Sequence, residues 1–309
     1  VQEQTKQVQL IGLSDLLHSK IDWSSVNFEK PKEIIVKSHK GLRDYQKQAI
    51  EKAKEYFTTH DRGMLVMAPG TGKTFTSLKM VEQFAKDSGQ KVYNVLYLVP
   101  SIQLLTQTLF SWNSDVLDDF ELNSFAVTSD RKATKKKAND DDADIQATDI
   151  GFPATTRATD VVKNYESLPE TSDKIRLNVV FSTYQSIDVM HEAQENGFPK
   201  FDFIISDEAH RTTGFHEENQ EESPFAKVHS NKNVKGKLRL YQTATPKIYS
   251  DDAKSKGIEK SVVIASMDDE SIFGTEIFRL GFGEAVARGY LTDYKVMVLT
   301  VEEEEKTKN

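Results

Sequence analysis

The stretch Met64-Leu65-Val66-Met67-Ala68-Pro69-Gly70-Thr71-Gly72-Lys73-Thr74 carries the strongest chemical signal in the chain. An apolar run leads into two glycines, and a lysine and a threonine follow where a helical pattern begins. Glycine lets a backbone approach a phosphate and adopt conformations that a Cβ forbids. Successive N–H groups then point inward, and the helix N-terminus adds a field that favours an anion. In such a loop Lys73 reaches the β- and γ-phosphates of a nucleotide, and the Thr74 hydroxyl ligands Mg²⁺. The general pattern is G-x-x-x-x-G-K-[ST], and Met67 stands in place of its first glycine. Alone, the stretch also fits an ordinary glycine-rich turn.

A second set of groups narrows the choice. The apolar run Phe201 to Ser206 ends in Asp207-Glu208-Ala209-His210. Adjacent carboxylates at a strand end suit two jobs. One, assigned to Asp207, holds Mg²⁺ and completes the shell begun by Thr74 and the phosphates. The other, assigned to Glu208, orients the attacking water and takes its proton. The plainer alternative is a surface acidic pair closing a strand. His210, with His216 and Glu217 nearby, raises a metal reading, but two histidines six apart do not share a helix face. The expectation is instead that His210 lies near the γ-phosphate and bonds across to Thr243 or Gln242, with His216 a solvated loop residue. Gln46 has an amide able to donate to adenine N7 and accept from N6.

The elements that must position these groups read as an alternation. A helix runs from Leu42-Arg43-Asp44-Tyr45-Gln46 to about Tyr56, with Ala49, Ile50 and Ala53 on one face. Then come strand Met64 to Met67, a helix to about Ala85, strand Val92 to Val99, and a helix from Ser101 to about Trp112. Further strands are expected at Phe125 to Thr128, Asn178 to Thr183, Phe201 to Ser206, Leu238 to Thr243 and Tyr294 to Val301. Further helices are expected at Thr156 to Tyr165, Tyr184 to Ala193, Phe225 to His229 and Gly283 to Arg288. Near-continuous apolar strands alternating with helices predict an α/β fold with a mostly parallel sheet covered on both faces. In such sheets ligands gather beyond the carboxyl ends of the strands. The phosphate loop, Asp207-Glu208 and Thr243 to Thr245 all follow expected strands, so one crevice is expected to unite them.

Composition sets limits. The chain has 309 residues, 38% hydrophobic and 28% charged, enough for one large or two modest folded domains. No apolar run reaches the roughly eighteen residues of a membrane span. Val1 to Gln9 is polar and lacks the pattern of a signal peptide. Cysteine is absent, which excludes disulfides and thiolate metal sites and fits a reducing, cytoplasmic setting. The net charge of −8 argues against bulk electrostatic grip on DNA, so any nucleic-acid contact is local or shared with other parts of a larger protein. Residues 1–40 read as an entry segment, with a short helix at Leu10 to His18 and a short strand at Ile34 to Val36. Lys135 to Lys137 followed by Asp140 to Asp142 reads as a solvated loop, with contact to a phosphate backbone as the alternative.

Five ordered motifs now stand together: Leu42 to Gln46, Ala68 to Thr74, Val99-Pro100-Ser101, Asp207 to His210 and Thr243-Ala244-Thr245-Pro246. They resemble the first RecA-like lobe of superfamily 2 helicases and translocases of the DEAH type, over roughly residues 41 to 300. The wording of Leu98 to Thr108, Phe181 to Asp188, Asp207 to Gly214 and Phe282 to Val286 is most similar to the motor of single-chain type ISP restriction–modification enzymes. That resemblance implies an ATP-driven motor moving along double-stranded DNA, on a polypeptide that also carries a nuclease, a methyltransferase and a target-recognition domain.

It further implies a role for each matching position. Gln46 would contact adenine. Gly70, Thr71, Gly72, Lys73 and Thr74 would hold phosphates and Mg²⁺. Thr243 and Thr245 would couple hydrolysis to movement, and Ser101, Gln103, Ser182 and Thr183 would touch the DNA backbone. On this reading residues 41–293 form the lobe, and residues 294–309 lead towards a second RecA-like lobe that the sequence lacks. That lobe normally supplies an arginine finger, so a piece of a longer enzyme is expected. A type I restriction motor, a DNA-repair or RNA helicase, and a nucleotide-sensing scaffold without chemistry are the competing readings.

Overall fold

Val92–Val99 (β2) is apolar at almost every position and is buried along nearly its whole length. Its alternate residues face opposite ways. Val95, Tyr97 and Val99 enter one apolar cluster, and Leu96 and Leu98 enter another. A strand buried on both faces needs helices on both, and the chain supplies them. The structure, a computed structural model, describes residues 21–23, 26, 39–128, 154–170, 172–217, 223–251 and 262–293.

On one face lie Asp44–Tyr56 (α1), Lys73–Ser88 (α2) and Ile102–Asp115 (α3), with Ala49, Ile50, Leu78, Val81, Leu105, Leu109 and Trp112 turned into the core. On the other lie Ala158–Glu166 (α4) and Ile187–Glu195 (α5), which bury Val161, Val162, Ile187 and Met190. Two short helices, Glu270–Phe273 (α6) and Phe282–Ala287 (α7), complete the described set.

The sheet has eight strands: Arg62–Met67 (β1), β2, Phe120–Val127 (β3), Ala154–Thr155 (β4), Ile175–Thr183 (β5), Phe201–Asp207 (β6), Gly236–Thr243 (β8) and Thr275–Leu280 (β10). Their spatial order is β10-β1-β8-β6-β2-β5-β3-β4, and every pairing is parallel. The α/β class with a parallel sheet is thus the one expected. Gly214–Glu217 (β7) and Val262–Ala265 (β9) form a separate antiparallel pair. His216 therefore lies on a strand, where the sequence suggested a loop.

β4, β7, β9 and β10 were not expected from the sequence, and the departures at β3 and β10 have plain physical reasons. β3 begins at Phe120, five residues earlier than its apolar end suggests. Its polar residues have cross-strand partners on β5: Asn123 Nδ2 donates to Asn178 Oδ1 at 3.2 Å, and Arg176 meets Glu121 at 2.9 Å. β10 was not anticipated. It is an edge strand whose outward Glu276 and Arg279 pair with each other, so its apolar signal is thin. The helix at Leu10 to His18, the strand at Ile34 to Val36, the charged stretch Lys135 to Asp142 and the strand at Tyr294 to Val301 lie outside the described residues.

Candidate active site

Because β1, β8 and β6 are adjacent and parallel, their carboxyl ends deliver Gly70 to Thr74, Thr243 and Asp207 to one edge of the sheet. Val66 pairs with Thr243, and Asp207 with Gln242. The chain leaves β1 and returns as β2 on the far side of β8 and β6, which opens a switch-point crevice.

The loop after β1 turns through Gly70 and Gly72, both with left-handed φ, near +80°. A Cβ on Gly72 would sit 2.9 Å from Gln46 Nε2, a side-chain tip that can shift, so it is the left-handed φ that calls for glycine there. Thr71 is buried; its hydroxyl donates to Ala68 O at 2.6 Å, and its carbonyl accepts the Tyr45 hydroxyl at 2.7 Å. Ala68 N–H donates to Leu280 O, so the edge strand β10 braces the start of the loop. Lys73 Nζ donates to Met67 O at 3.3 Å. Trp112 Nε1 donates to Thr74 O at 3.1 Å and pins the first turn of α2.

Gln46 is buried beside this loop. Its Oε1 accepts Arg43 N–H at 2.9 Å, and its Nε2 donates to Thr71 O at 3.4 Å. These bonds use one of two amide hydrogens and one of two lone pairs, leaving half the hydrogen-bonding capacity for a further partner.

Asp207 is 6% exposed. Its Oδ1 accepts Glu208 N–H at 2.9 Å, and its Oδ2 accepts the Tyr97 hydroxyl at 3.4 Å. Burial and the neighbouring Glu208 charge push its pKa up to about 6, against Lys73, the Glu208 N–H and the Tyr97 hydroxyl. A buried carboxylate so short of compensation suits a cation. Among the described residues no cluster of three or more His, Cys, Asp or Glu side chains is available to hold a metal, so an all-protein cage is not offered. One carboxylate and one hydroxyl suit Mg²⁺, which keeps waters and shares phosphate oxygens.

Glu208 adopts φ 49° and ψ 46°, the one left-handed non-glycine among the described residues. Such strain runs to about 1–3 kcal/mol and concentrates at functional sites. The turn brings Glu208 Oε2 to 3.4 Å from His210 Nδ1. The same nitrogen is 3.0 Å from Thr243 Oγ1, the bond expected across to β8. Thr245 N–H donates to that hydroxyl at 3.2 Å. Burial first, then Arg211, Lys247 and Lys73, lowers the His210 pKa against the opposing pull of Glu208.

Farther along the edge, β2 and β5 end together, with Val99 paired to Thr183. Ser101 caps α3 by accepting Leu104 N–H, and Gln103 is exposed. The Ser182 and Thr183 side chains are buried; Ser182 Oγ donates to Thr183 O, and Thr183 Oγ1 pairs with Ser186 Oγ at 2.8 Å. The edge thus groups Gly70 to Thr74, Gln46, Asp207, Glu208, His210 and Thr243 closely and sets the other four beyond them.

Residues 39–248 match the family described as Type III restriction enzyme, res subunit. The chain belongs to this family. Among solved structures, this restriction-family chain is similar to the ATP-dependent type ISP restriction–modification enzyme LlaBIII bound to DNA. The two are 55% identical with a TM-score of 0.75, over 95% of this chain and 18% of that one. It is also similar to a nuclease-deletion mutant of the type ISP enzyme LlaGI in complex with a DNA substrate mimic. There the identity is 52% and the TM-score 0.61, over 81% of this chain and 21% of that one. A probable helicase of African swine fever virus is 28% identical over 260 residues, 83% of this chain and 24% of the viral protein. The chain thus spans a quarter or less of the length of these relatives. No described helix is long and apolar enough to cross a membrane.

Sequence reasoning gave no role to Tyr45, Tyr97, Trp112 or Tyr184, yet each hydrogen-bonds the site from beneath. Buried aromatic residues in apolar strands and helices read as core, and only their polar tips reveal the second duty. A cavity of about 380 Å³, lined by Phe57, Phe84, Tyr93 and Leu238 among others, lies at the amino-terminal ends of β2, β6 and β8, away from this chemistry.

Proposed function

We propose that residues 41–293 are the ATP-binding and ATP-hydrolysing motor lobe of a restriction–modification enzyme that moves along double-stranded DNA before cleavage. The observation that carries the reading is the meeting of the Gly70–Thr74 loop, Asp207-Glu208 and Thr243 on three adjacent strand ends. The resemblance to two type ISP enzymes at 52–55% identity, both solved with DNA or a DNA mimic, supports the substrate. It also weighs against a repair or RNA helicase.

The backbone of Gly70, Thr71 and Gly72 cradles the phosphates, Lys73 neutralises the β- and γ-phosphates, and Gln46 turns its spare amide groups to adenine. Thr74 and Asp207 hold Mg²⁺, whose charge, when bound, stabilises negative charge developing on the transferred group. Glu208 orients the attacking water and accepts its proton. His210, bonded to Thr243, passes the state of the site to the end of β8 and on to Thr245. Exposed Gln103 and half-buried Ser101 meet the DNA backbone, while Ser182 and Thr183, buried and bonded within the fold, support that surface from beneath. Backbone contacts position without reading sequence, and neutral ones fit a net charge of −8.

The nuclease, methyltransferase, target-recognition domain and second RecA-like lobe belong to the remainder of the parent polypeptide, with residues 1–40 leading in and 294–309 leading out. The test is ATP turnover by the parent protein carrying Lys73→Ala. Loss of DNA-stimulated hydrolysis is expected; full turnover in the variant would sink the reading.

A further inference from the structure

Tyr97 lies in mid-strand on β2 with no solvent exposure. Its ring packs edge-on to Trp112 with centroids 5.3 Å apart, and lies 6.0 Å from Phe181. These neighbours hold the ring, so its hydroxyl arrives at one place beneath the phosphate loop. There it donates to Asp207 Oδ2 and accepts an N–H from Gln242 Nε2.

A phenol has one proton to give. Gln242 brings its own N–H to the Tyr97 oxygen, so the Tyr97 proton is left for the carboxylate. Burial and the Asp207 charge keep the phenol protonated by raising its pKa well above the ordinary value. Gln242 Oε1 is buried with no partner, so among the bonds found its amide is oriented by the link to Tyr97. One hydroxyl thus joins the end of β6 to the end of β8, and the Trp112 ring packed against Tyr97 holds the first turn of α2.

We propose that Tyr97 is a positioning residue for the cation site, fixing the Asp207 carboxylate beside the first turn of α2 and tying it to Gln242, the residue before Thr243. This rests on reading the site as one for a metal-bound nucleotide. Tyr97→Phe keeps the ring and its packing and removes only the hydroxyl. It leaves Asp207 Oδ2 without its donor, with only the Glu208 N–H on Oδ1, and Gln242 without its acceptor. A group that orients a metal ligand is worth about 10–100-fold in metal affinity.

The experiment is a Mg²⁺ titration of fluorescent ATP-analogue binding to the full parent protein, wild type against Tyr97→Phe, with metal-free binding measured in chelator. The half-saturating Mg²⁺ concentration is expected to rise about tenfold in the variant. Metal-free affinity is expected to stay within about twofold, since the phosphate loop is untouched. An unchanged Mg²⁺ requirement, whatever the loss of thermal stability, overturns the proposal and leaves Tyr97 a packing residue. Wild type lacking any Mg²⁺-dependent nucleotide binding overturns the nucleotide reading itself, and this proposal with it.

Should Tyr97→Phe fail to accumulate as folded protein, Gln242→Leu carries the test. It removes the donor to Tyr97 together with a buried unpaired oxygen, so the lost bond is offset in part by the lost desolvation penalty. A rise of about threefold in half-saturating Mg²⁺ is expected as Tyr97 loses its anchor, and no rise overturns the proposal.

Discussion

Asp207 is buried beside a second carboxylate, and the empty protein bears the consequence. Its pKa rises from 3.8 to about 6, so between those values the folded state holds a proton more tightly than the unfolded chain. Stability from this group is therefore complete below about pH 4 and lost as pH rises through 6. Asp207→Asn should stabilise the ligand-free protein at pH 7 by about 1–3 kcal/mol, a gain that fades towards pH 4. Denaturant melts at the two pH values read this directly, and a variant less stable than wild type at pH 7 contradicts it. The same substitution should abolish stabilisation by Mg²⁺ and nucleotide. Glu208→Gln separates chemistry from binding: nucleotide affinity should hold while the parent's turnover falls about 10²–10⁴-fold. Unchanged turnover would favour a scaffold that binds ATP without using it. At this scale the charged and glycine residues were legible because type and spacing announce them. Tyr97 and Tyr45 were not, because a tyrosine inside an apolar strand or helix looks the same whether its hydroxyl is idle or bonded.

At the scale of elements, the helices and central strands follow from apolar period and length, and β2 runs from Val92 to Val99 as read. What escaped was decided by tertiary contact. β10 is short and half charged, and it becomes a strand because β1 offers it an open edge. Gly274 makes that pairing geometrically possible. It has φ +72°, and a Cβ there would lie 2.1 Å from Arg62 O. Backbone cannot swing aside as a side chain can. Gly274→Ala should therefore destabilise by about 2–4 kcal/mol. Because Leu280 O holds Ala68 N–H, nucleotide affinity should fall too. Gly89 is the control: it is also left-handed, at φ +66°, but has open space around its Cβ position. Gly89→Ala should cost only about 1 kcal/mol and leave nucleotide affinity alone. Equal losses at the two sites, measured by chemical denaturation, would show that the β10 contact is not what matters.

For the whole molecule, the site is one wall of a crevice. The exposed Gly70, Gly72, Gln103 and Thr245 look outward from the carboxyl edge of the sheet. An arginine donated by a second lobe is worth about 10³–10⁵-fold in such reactions. The isolated chain is therefore expected to bind Mg-ATP and hydrolyse it slowly, and fast DNA-stimulated turnover by the chain alone would refute the need for that lobe. A motor driven by ATP on double-stranded DNA should show itself in ATP hydrolysis by the longest obtainable parent protein, measured with duplex DNA, single-stranded DNA and RNA in parallel. Stimulation by duplex, stronger when a recognition site is present, is the predicted result. Stimulation mainly by single strands or RNA would contradict it.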